Sequence, residues 1–318
     1  MTGGSLVGVD IGGSKVLAVL ASPDGEVMAQ AKLATPGDVD AVVRAVLAAA
    51  AQVGDAERTL ALGVGCPGMI DQQGKAHFCP HLHCLDGVEL QGIIAGHRAG
   101  GARTLVVNDA TAACWAEYQI GAGRATGDLV MVTLGTGIGG GMVAGGRLVS
   151  GAHGFAGELG HMVVDPSGPA CPCGKKGCWE RFASGSGLGR LAREAAEAGR
   201  LESIVSQVGG VVEDVRAEHV TVAAAQGDLG ALDVMAQFAW WVALGLANLA
   251  NALDPAAIII GGGLVEAGAV LMGPVRNAFS ELVEGPRARA VRLVPAALGE
   301  RAGAVGAALL AAGIRLGR

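Results

Sequence analysis

Short apolar runs alternate along the chain with glycine-rich or acidic turns, and this pattern predicts an α/β fold. Near the start, residues 6–10, 16–20 and 26–32 are predicted to form three strands of a meander. The first turn, residues 11–15, contains two glycines, and the second is a Pro-Asp-Gly turn. A strand, not a helix, is therefore expected after the first glycine turn.

The rest of the chain alternates between helical periodicity and buried strands. Residues 38–53 have the apolar spacing of an amphipathic helix, with Asp38 as its candidate cap. The longest predicted helix, residues 231–253, ends before an Asp-Pro pair. Further strands are predicted at residues 61–65, 104–107, 129–134, 142–144, 256–260 and 291–295, and further helices at residues 93–99, 111–118, 187–199, 222–225 and 302–313.

The first glycine turn is a candidate phosphate site. It runs from Asp10 through Gly12, Gly13 and Ser14 to Lys15. Backbone amides in such a turn, with the serine hydroxyl, can hold phosphate oxygens, and the adjacent carboxylate can hold the magnesium that accompanies them. A plain hairpin turn is an equally good interpretation of this motif alone.

A second glycine turn repeats the design. Gly135, Thr136 and Gly137 open a glycine-rich run, residues 135–141, that again joins two predicted strands. Two such hairpins that face each other could grip the phosphates of one nucleotide. The Gly-x-Gly-x-x-Gly spacing does not indicate a dinucleotide site, because that site needs a helix directly after the glycines.

A third run, Gly261, Gly262 and Gly263, follows a buried strand. Glycines there permit a flat group such as an adenine ring to lie against the backbone. A close packing turn between a helix and a strand explains the same residues equally well.

Asp109 is the candidate catalytic carboxylate. It follows Asn108 at the end of the strand predicted at residues 104–107, and ligands of open α/β sheets bind beyond the carboxyl ends of strands. The simpler interpretation is that Asp109 caps the helix that begins after it.

His161, Cys171, Cys173 and Cys178 form a complete tetrahedral ligand set for zinc within one short segment. Pro172 stiffens the turn between the first two thiols, and glycines at 174 and 177 let the backbone return Cys178 to the same ion. A closed site with three thiolates has no position for water, so it is predicted to be structural. The alternative is a set of ordinary buried cysteines.

Composition and charge exclude several classes of protein. The 318 residues suffice for two domains, and 51% hydrophobic residues exclude disorder. The net charge of −6 lacks the basic excess of a nucleic-acid binder. The four cysteines outside the cluster show no disulfide pattern, and no secretory signal is present, so a cytoplasmic location is expected. The apolar residues 239–252 are interrupted by asparagines and favour a buried helix over a membrane span.

Taken in order, these motifs resemble the ROK family of sugar kinases and repressors, over residues 7–310. The resemblance implies the actin-like, ribonuclease-H-like fold: two α/β domains hinged over a sugar cleft, with residues 1–108 and 300–318 in the small domain and residues 109–299 in the large one. The residues that carry it are 10–15 (Asp-Ile-Gly-Gly-Ser-Lys), 108–109, 134–141, 158–161 (Glu-Leu-Gly-His), 171–180 and 261–264. Residues 177–185 and 294–299 look most like the family's bacterial glucokinases.

The resemblance also implies a chemistry, ATP-dependent phosphorylation of the 6-hydroxyl of glucose. Asp109 would be the general base, magnesium would lie near Asp10, and ATP would be held by the glycines of the three runs. A structural zinc would orient His161, which offers its second nitrogen to the sugar. The implied sugar-binding residues are Gly68, Asn108, Asp109, Glu158, His161 and Glu180.

Some residues depart from the family pattern. Ser14 replaces a usual threonine, Thr111 replaces a usual asparagine, and His81 and His83 stand where glucokinases have Pro-Asn-Leu and a tryptophan-containing loop. Another hexose, such as mannose, fructose, allose or N-acetylmannosamine, therefore stays open as the acceptor, as does polyphosphate as the donor. A sugar-responsive repressor is disfavoured because only nine residues precede Asp10. A homodimer or higher homo-oligomer is expected by analogy.

Overall fold

The structure, a computed structural model, describes residues 5–54, 59–98, 103–285 and 290–313. The strands are β1 (Ser5–Ile11), β2 (Lys15–Ala21), β3 (Val27–Ala34), β4 (Thr59–Cys66), β5 (Met69–Ile70), β6 (Ala76–Phe78), β7 (Arg103–Asn108), β8 (Leu129–Leu134), β9 (Ile138–Ala144), β10 (Arg147–Leu148), β11 (Ala257–Gly261) and β12 (Arg292–Pro295). The α-helices are α1 (Val39–Val53), α2 (Leu90–Gly96), α3 (Asp109–Gln119), α4 (Glu180–Ala183), α5 (Gly185–Glu197), α6 (Glu202–Gln207), α7 (Ala217–Ala225), α8 (Leu229–Leu253), α9 (Ala269–Leu282) and α10 (Ala302–Ala312).

The first sheet has the strand order β3-β2-β1-β4-β7. Strands β1, β2 and β3 form the predicted antiparallel meander, while β4 and β7 run parallel to β1. Asp10 pairs with Gly65 across β1 and β4, and Cys66 pairs with Asn108 across β4 and β7. The carboxyl ends of the three parallel strands therefore meet at one edge, where a ligand site is expected.

The second sheet repeats this order. Its strands lie as β10-β9-β8-β11-β12, which is again a third, second, first, fourth and fifth strand in chain order. The repeated strand, glycine turn and strand of the sequence correspond to β1–β2 in the first sheet and β8–β9 in the second. The duplicated pattern thus extends from a local motif to a whole sheet.

Helix α10 packs backbone to backbone on the first sheet. A Cβ atom on Gly8 would lie 1.8 Å from the carbonyl oxygen of Ala304, and one on Gly63 would lie 1.9 Å from that of Ala307. Gly306 makes the equivalent approach to α3, because its Cβ would lie 1.8 Å from the carbonyl oxygen of Ala112. The small-residue helix predicted at residues 302–313 is confirmed, and these contacts explain its composition.

Helix α8 packs against the Cys/His segment through Trp179. Trp179 is fully buried, its Nε1 donates to the carbonyl oxygen of Trp241 at 2.8 Å, and its ring lies against Gly245 of α8. Within the described residues, α8 is the one helix long and apolar enough to cross a membrane, but half of its most apolar window is buried inside the protein. That burial is typical of the core helix that the sequence predicts.

The chain folds into two compact units. One comprises residues 1–131, 140–158 and 296–318, and the other comprises residues 132–139 and 159–295. The predicted domains, 1–108 with 300–318 and 109–299, differ from these units in residues 109–131, which hold α3, in residues 140–158 and in residues 296–299. The close approach of Gly306 to α3 places that helix with the first sheet. The predicted boundaries stay a prediction.

Several elements differ from the sequence-based expectation. Strand β9 begins at Ile138, so residues 139–141 are paired strand instead of turn. Helix α9 and the β5–β6 hairpin were not predicted. Gly273 and Pro274 interrupt the helical propensity of α9, although Leu271, Val275 and Phe279 carry the spacing of a buried helix face. The predicted helix at residues 93–99 is observed as α2, and its last residue lies outside the described ranges.

The packing of α10 predicts a matched pair of glycine variants. Gly8→Ala should lower the free energy of unfolding by about 2–3 kcal/mol, because the new methyl group meets fixed backbone. Gly92→Ala, at an exposed position of α2 with no atom within 4 Å of the new Cβ, should raise it by about 0.5–1 kcal/mol. Urea unfolding of both variants measures the difference, and equal stability would contradict the packing described.

Candidate active site and metal centre

Asp10 lies at the carboxyl end of β1 with an enclosed, unpaired oxygen. The residue is half-buried, but its Oδ1 is buried and has no hydrogen-bond partner among the described residues. Glycines lie on two sides: a Cβ on Gly65 would be 3.0 Å from this oxygen, and one on Gly303 would be 2.8 Å from it. A carboxylate oxygen kept clear of other side chains and of donors fits a bound cation such as Mg²⁺.

Asp109 is the first residue of α3 and lies beside Asp10 at the same sheet edge. The helix cap is Asn108, whose Oδ1 accepts from the backbone N–H of Thr111 at 2.8 Å. The simpler interpretation of Asp109 as the cap is therefore wrong, because Asp109 is already the first helical residue. Its Oδ1 accepts from the N–H of Ala110 at 2.8 Å.

Burial perturbs both carboxyl groups, and the charge of Asp109 adds to the effect on Asp10. Burial raises the pKa of Asp10 to about 8, with a further rise from the charge of Asp109 and a smaller opposing effect of Lys15. Burial also raises the pKa of Asp109. A carboxyl group with a raised pKa holds a proton more strongly than an exposed one, which suits a general base working near neutral pH.

Both the oxygen and the nitrogen of the Asn108 side-chain amide form hydrogen bonds within the protein. Besides capping α3, it donates from Nδ2 to the carbonyl oxygen of Gly68 at 3.0 Å. Gly68 has φ +98°, and a Cβ there would lie 2.1 Å from the carbonyl oxygen of Phe78. The two predicted sugar-binding residues are thus joined by a hydrogen bond, and Asn108 Nδ2 carries a second N–H donor.

The first glycine turn is a closed hairpin. The N–H of Gly12 donates to the carbonyl oxygen of Lys15 at 2.8 Å, and Thr35 Oγ1 donates to the carbonyl oxygen of Gly12 at 2.7 Å. The amide of Gly12 is therefore committed to the turn. Gly13 and Ser14 are exposed.

Lys15, predicted to bind the cofactor, forms an ion pair with Glu300. Lys32 pairs with the other oxygen of the same carboxylate at 2.6 Å. Hydrogen bonds from the two lysines lower the pKa of Glu300 to about 2. Glu300 was not predicted from the sequence, because a partner nearly the whole chain away leaves no local pattern.

His81, one of the departures from the family pattern, lies near both the first glycine turn and Asp109. Its Cβ is 3.9 Å from the position of a Cβ on Gly13, and its charge opposes the rise in the pKa of Asp109. His83 instead faces Asp86, with Nδ1 and Oδ2 at 3.1 Å. The sequence singled out both histidines, but only His81 lies beside the glycine turn.

The second unit holds the Cys/His cluster. One ligand atom each of His161, Cys171, Cys173 and Cys178 lies within 4.8 Å of the others. The sulfurs of Cys173 and Cys178 are 3.6 Å apart, and Cys171 Sγ is 3.8 Å from His161 Nδ1. A tetrahedral ion with bonds of about 2.0–2.3 Å separates its ligands by roughly 3.5–3.8 Å, so the residues fit zinc.

Two glycines shape the loop that carries the thiols. Gly174 and Gly177 have φ +87° and +70°, and a Cβ on Gly177 would lie 1.5 Å from the carbonyl oxygen of Asp165. The N–H of Cys171 donates to the carbonyl oxygen of Lys175 at 2.8 Å, which closes the turn. The backbone curl predicted from these glycines is confirmed.

Glu180 contacts the cluster directly. Its Oε1 lies 3.0 Å from Cys171 Sγ and 3.7 Å from His161 Nδ1, and it is the first residue of α4. Glu158 is half-buried and follows Gly157, whose φ of +108° and close approach to Gly140 fix that end of the segment. Of the two acids that flank the ligands in sequence, Glu180 is therefore held by contact with the Cys/His cluster and Glu158 by the adjacent Gly157, whose positive φ only glycine adopts readily.

The other glycine runs are held by backbone contacts of the second unit. The carbonyl oxygen of Gly135 accepts from the N–H of Gly185 at 2.7 Å, and that of Thr136 accepts from Ser186 Oγ at 2.8 Å. Gly262 has φ +86°, and a Cβ would lie 2.3 Å from the carbonyl oxygen of Leu134. The packing-turn interpretation therefore accounts for Gly262, whereas a Cβ on Gly263 would meet nothing within 4 Å.

Comparison with known proteins is consistent across sequence and structure. Residues 6–314 match the model of the ROK family. The chain belongs to the ROK family. It is 36% identical over 312 residues to a glucokinase of Streptomyces coelicolor, an alignment that covers 97% of this chain and 98% of the relative. An N-acetylmannosamine kinase of Shigella boydii is 33% identical, over 97% of this chain and 98% of the relative.

Among solved structures, a ROK family glucokinase from Streptomyces griseus in complex with glucose and AMPPNP superimposes with a TM-score of 0.85. The two chains are 37% identical, and the match covers 96% of this chain and 99% of the other. The predicted actin-like, ribonuclease-H-like α/β fold is thereby confirmed.

The unpaired Asp10 carboxylate predicts a pH-dependent cost in stability. Folded Asp10 keeps its proton up to about pH 8, whereas an unfolded aspartate loses it near pH 3.9, so stability falls as the pH rises between these values. In chelator-treated protein at pH 7.5, Asp10→Asn should raise the free energy of unfolding by about 1 kcal/mol or more, a gain that disappears near pH 4.

Asp228 provides the matched control. Hydrogen bonds from Ser203 and the N–H of Ala231 lower its pKa, so Asp228→Asn should bring no gain in stability at pH 7.5. Thermal unfolding of both variants across the pH range measures the effect. Destabilisation by Asp10→Asn at pH 7.5 would show that the Asp10 charge is satisfied in the folded protein.

Proposed function

We propose that the protein is an ATP-dependent glucokinase that phosphorylates the 6-hydroxyl of glucose. The observation that carries this proposal is Asp109, a carboxylate with a raised pKa at a strand end beside a glycine turn. Family membership and the glucokinase relatives, aligned over nearly the whole chain, support this chemistry over other uses of such a carboxylate.

In this mechanism Asp109 accepts the proton of the 6-hydroxyl as its oxygen attacks the γ-phosphorus of ATP. The new bond joins the sugar oxygen to phosphorus, the bond from phosphorus to the β–γ bridging oxygen breaks, and ADP leaves. Because phosphoryl transfer needs mainly alignment and neutralisation of charge, a fixed acceptor and a fixed donor are the main requirements. Asp109 lies at the start of α3, directly after strand β7, and from this position it would hold the acceptor hydroxyl in place.

Asp10 would hold Mg²⁺, and the exposed Gly13 and Ser14 would face the phosphates of ATP. When bound, the metal neutralises negative charge on the phosphate oxygens. Lys15 adds positive charge at the base of the turn, where Glu300 fixes its position. The nucleotide-binding roles proposed for the second unit fall on Gly135, Thr136, Gly137, Gly261, Gly262 and Gly263.

The sugar hydroxyls would be bound by Asn108, Glu158, His161 and Glu180, with the backbone of Gly68 beside Asn108. Carboxylates suit this task because each accepts hydrogen bonds from two hydroxyl groups. The Nδ1 atom of His161 faces Cys171, so Nε2 is the nitrogen that would meet the sugar. A sugar analogue without the matching hydroxyls would leave these groups unpaired.

A structural zinc would bind His161 and the three thiols of the cluster. Burial raises the pKa of Cys171 and Cys178, so metal uptake would release protons from them. The ion would fix the ring of His161. It would also displace the thiol proton with which Cys171 donates a hydrogen bond to Glu180, which frees Glu180 Oε1 for the sugar. The metal therefore serves sugar binding without taking part in phosphoryl transfer.

A second acceptor is favoured by one observation. His81 lies beside the glycine turn where glucokinases have a different residue, and an N-acetylmannosamine kinase is 33% identical to this chain. A kinase for that sugar or for mannose, fructose or allose is the alternative, and polyphosphate is the alternative donor.

All seven cysteines are free, which supports a reducing cytoplasmic setting. We expect a homodimer or higher homo-oligomer.

The decisive variant is Asp109→Asn. Wild-type protein should phosphorylate glucose with ATP faster than the other hexoses, and the variant should lose about 10²–10⁴ in kcat, the contribution of a positioned base. Glucose affinity, measured by calorimetry, should be unchanged because the amide keeps the shape of the carboxylate. Asp40→Asn, an exposed carboxylate in the first turn of α1, is the control. Undiminished kcat in Asp109→Asn would remove Asp109 as the base.

Zinc binding is tested by Cys173→Ser. The variant should bind zinc at least about tenfold more weakly, because even changes outside the direct ligands cost that much. Its KM for glucose should rise, because His161 and Glu180 lose their fixed positions. Cys84→Ser, a free cysteine outside the cluster, should keep the metal content of the wild type. A metal-free variant with an unaltered KM for glucose would contradict the proposed link between zinc and sugar binding.

A further inference from the structure

Glu117 is a fully buried carboxylate that the proposed mechanism does not use. It lies in α3 and is 0% exposed. Its Oε1 accepts from the N–H groups of Ala297 at 2.8 Å and Leu298 at 2.7 Å. Its Oε2 accepts from the N–H of Ala122 at 2.7 Å. Three backbone donors therefore converge on a single side chain.

Burying a charged group is costly unless hydrogen bonds satisfy it, so a carboxylate here needs a reason. The turn after α3 is shaped around it: a Cβ on Gly121 would lie 2.1 Å from Oε2, and the N–H groups of Gly121 and Gly123 donate to the Glu117 carbonyl oxygen at 3.1 and 2.9 Å. Both carboxylate oxygens thus accept short hydrogen bonds from backbone N–H groups. Hydrogen bonds with an ionised acceptor belong to the stronger class of protein hydrogen bonds.

The segment that Glu117 holds leads directly to the first glycine turn. Leu298 precedes a single 3₁₀ turn, Gly299–Arg301, which carries Glu300. The Glu300 carboxylate pairs with Lys15, at the end of the glycine turn, and with Lys32 on β3. These contacts form a continuous series from Glu117 to the turn, and all of them lie within one compact unit.

The same helix also carries Asp109. Eight residues, or about 12 Å of helix, separate Asp109 from Glu117. A rigid helix with the base at its first residue and this carboxylate near its last fixes the two at one distance. These contacts therefore link the position of Glu300 to α3, the helix that begins with Asp109.

We propose that Glu117 is a positioning residue for the phosphate-binding turn: it fixes the backbone of Ala297 and Leu298 so that Glu300 holds Lys15 and the turn in register with α3. This inference rests on the proposed kinase function. Glu117 itself touches neither substrate. Its effect passes through Glu300, and therefore falls on nucleotide binding and turnover instead of on sugar binding.

Glu117→Gln tests the proposal in the full-length protein. The amide keeps the volume of the side chain but turns one acceptor into a donor that opposes a backbone N–H. The Kd for Mg²⁺-AMPPNP, measured by calorimetry, and the KM for ATP should rise about fivefold or more, and kcat should fall, since a bond to a charged group is lost. The KM for glucose should stay within about twofold, a split that general loss of packing would not produce.

Three further variants sharpen the result. Gly121→Ala should reproduce the defect without removing charge, because its methyl group displaces Oε2. Glu300→Gln, at an exposed site, should also weaken nucleotide binding, and Glu117→Gln with Glu300→Gln should be no worse than the more severe single variant. Glu194→Gln, which loses an exposed pair with Arg190, is the control and should match the wild type.

Two outcomes would overturn the inference: unchanged nucleotide affinity in Glu117→Gln or in Glu300→Gln, or losses that multiply in the double variant. Should Glu117→Gln fail to fold, Glu300→Gln alone decides, because its side chain is exposed. A wild type that does not phosphorylate any hexose would contradict the proposed function instead. An active wild type with an equally active Glu117→Gln would contradict only the role of Glu117.

Discussion

The first unit depends on backbone-to-backbone contact between α10 and its surroundings. Gly8 and Gly63 let the helix lie on β1 and β4, and Gly306 lets α3 lie on the helix. Close-packed interiors transmit small displacements, so a helix held this tightly fixes whatever its ends carry. Its first turn carries Gly303, which leaves space beside the Asp10 carboxylate, and is preceded by Glu300. The packing of glycines thus determines the geometry of the acidic site.

The acidic site lowers the stability of the ligand-free protein. Asp10 and Asp109 lie at one sheet edge, each with a pKa raised by burial, and Asp10 Oδ1 has no partner among the described residues. Natural proteins retain such groups where function needs a charge that only a ligand will satisfy. The strands β1 and β7 and the helix α3 hold the two carboxyl groups close together. The same arrangement that disfavours the ligand-free state would favour a bound cation and a proton acceptor.

The segment between Glu158 and Glu180 has little regular structure. It consists of short turns, isolated strand pairings and a 3₁₀ turn, in place of long helices or strands. Glycines at positive φ and the convergence of three thiols with one imidazole give this segment its shape. A bound metal would add the rigidity that a packed core gives elsewhere, because ligand binding and local folding share one free energy. Glu180 contacts the cluster itself, so its position and the metal site are inseparable.

The sequence alone determined the features whose causes are local. Strand runs, glycine turns, the cap of α1 by Asp38 and the ligand spacing of the Cys/His segment each lie within a few residues. The structure has these features, although the second glycine turn is shorter than predicted because residues 139–141 are strand. The short strands β5 and β6, and the helix α9, whose helical propensity is interrupted by Gly273 and Pro274, could not be predicted from the sequence. Nor could the identity of the α3 cap, since a shift of one residue at a strand end is not encoded by composition.

Tertiary structure decided the contacts between residues far apart in the chain. The pairing of Lys15 with Glu300, the capture of Ala297 and Leu298 by Glu117, and the seating of α10 on Gly8 join segments more than 170 residues apart. A glutamate in an apolar helix and a glycine in a strand look like minor irregularities when read locally. They acquire meaning only when folding brings a backbone or a charge against them, because hydrogen bonding and steric exclusion depend on distance in space and not on distance along the chain.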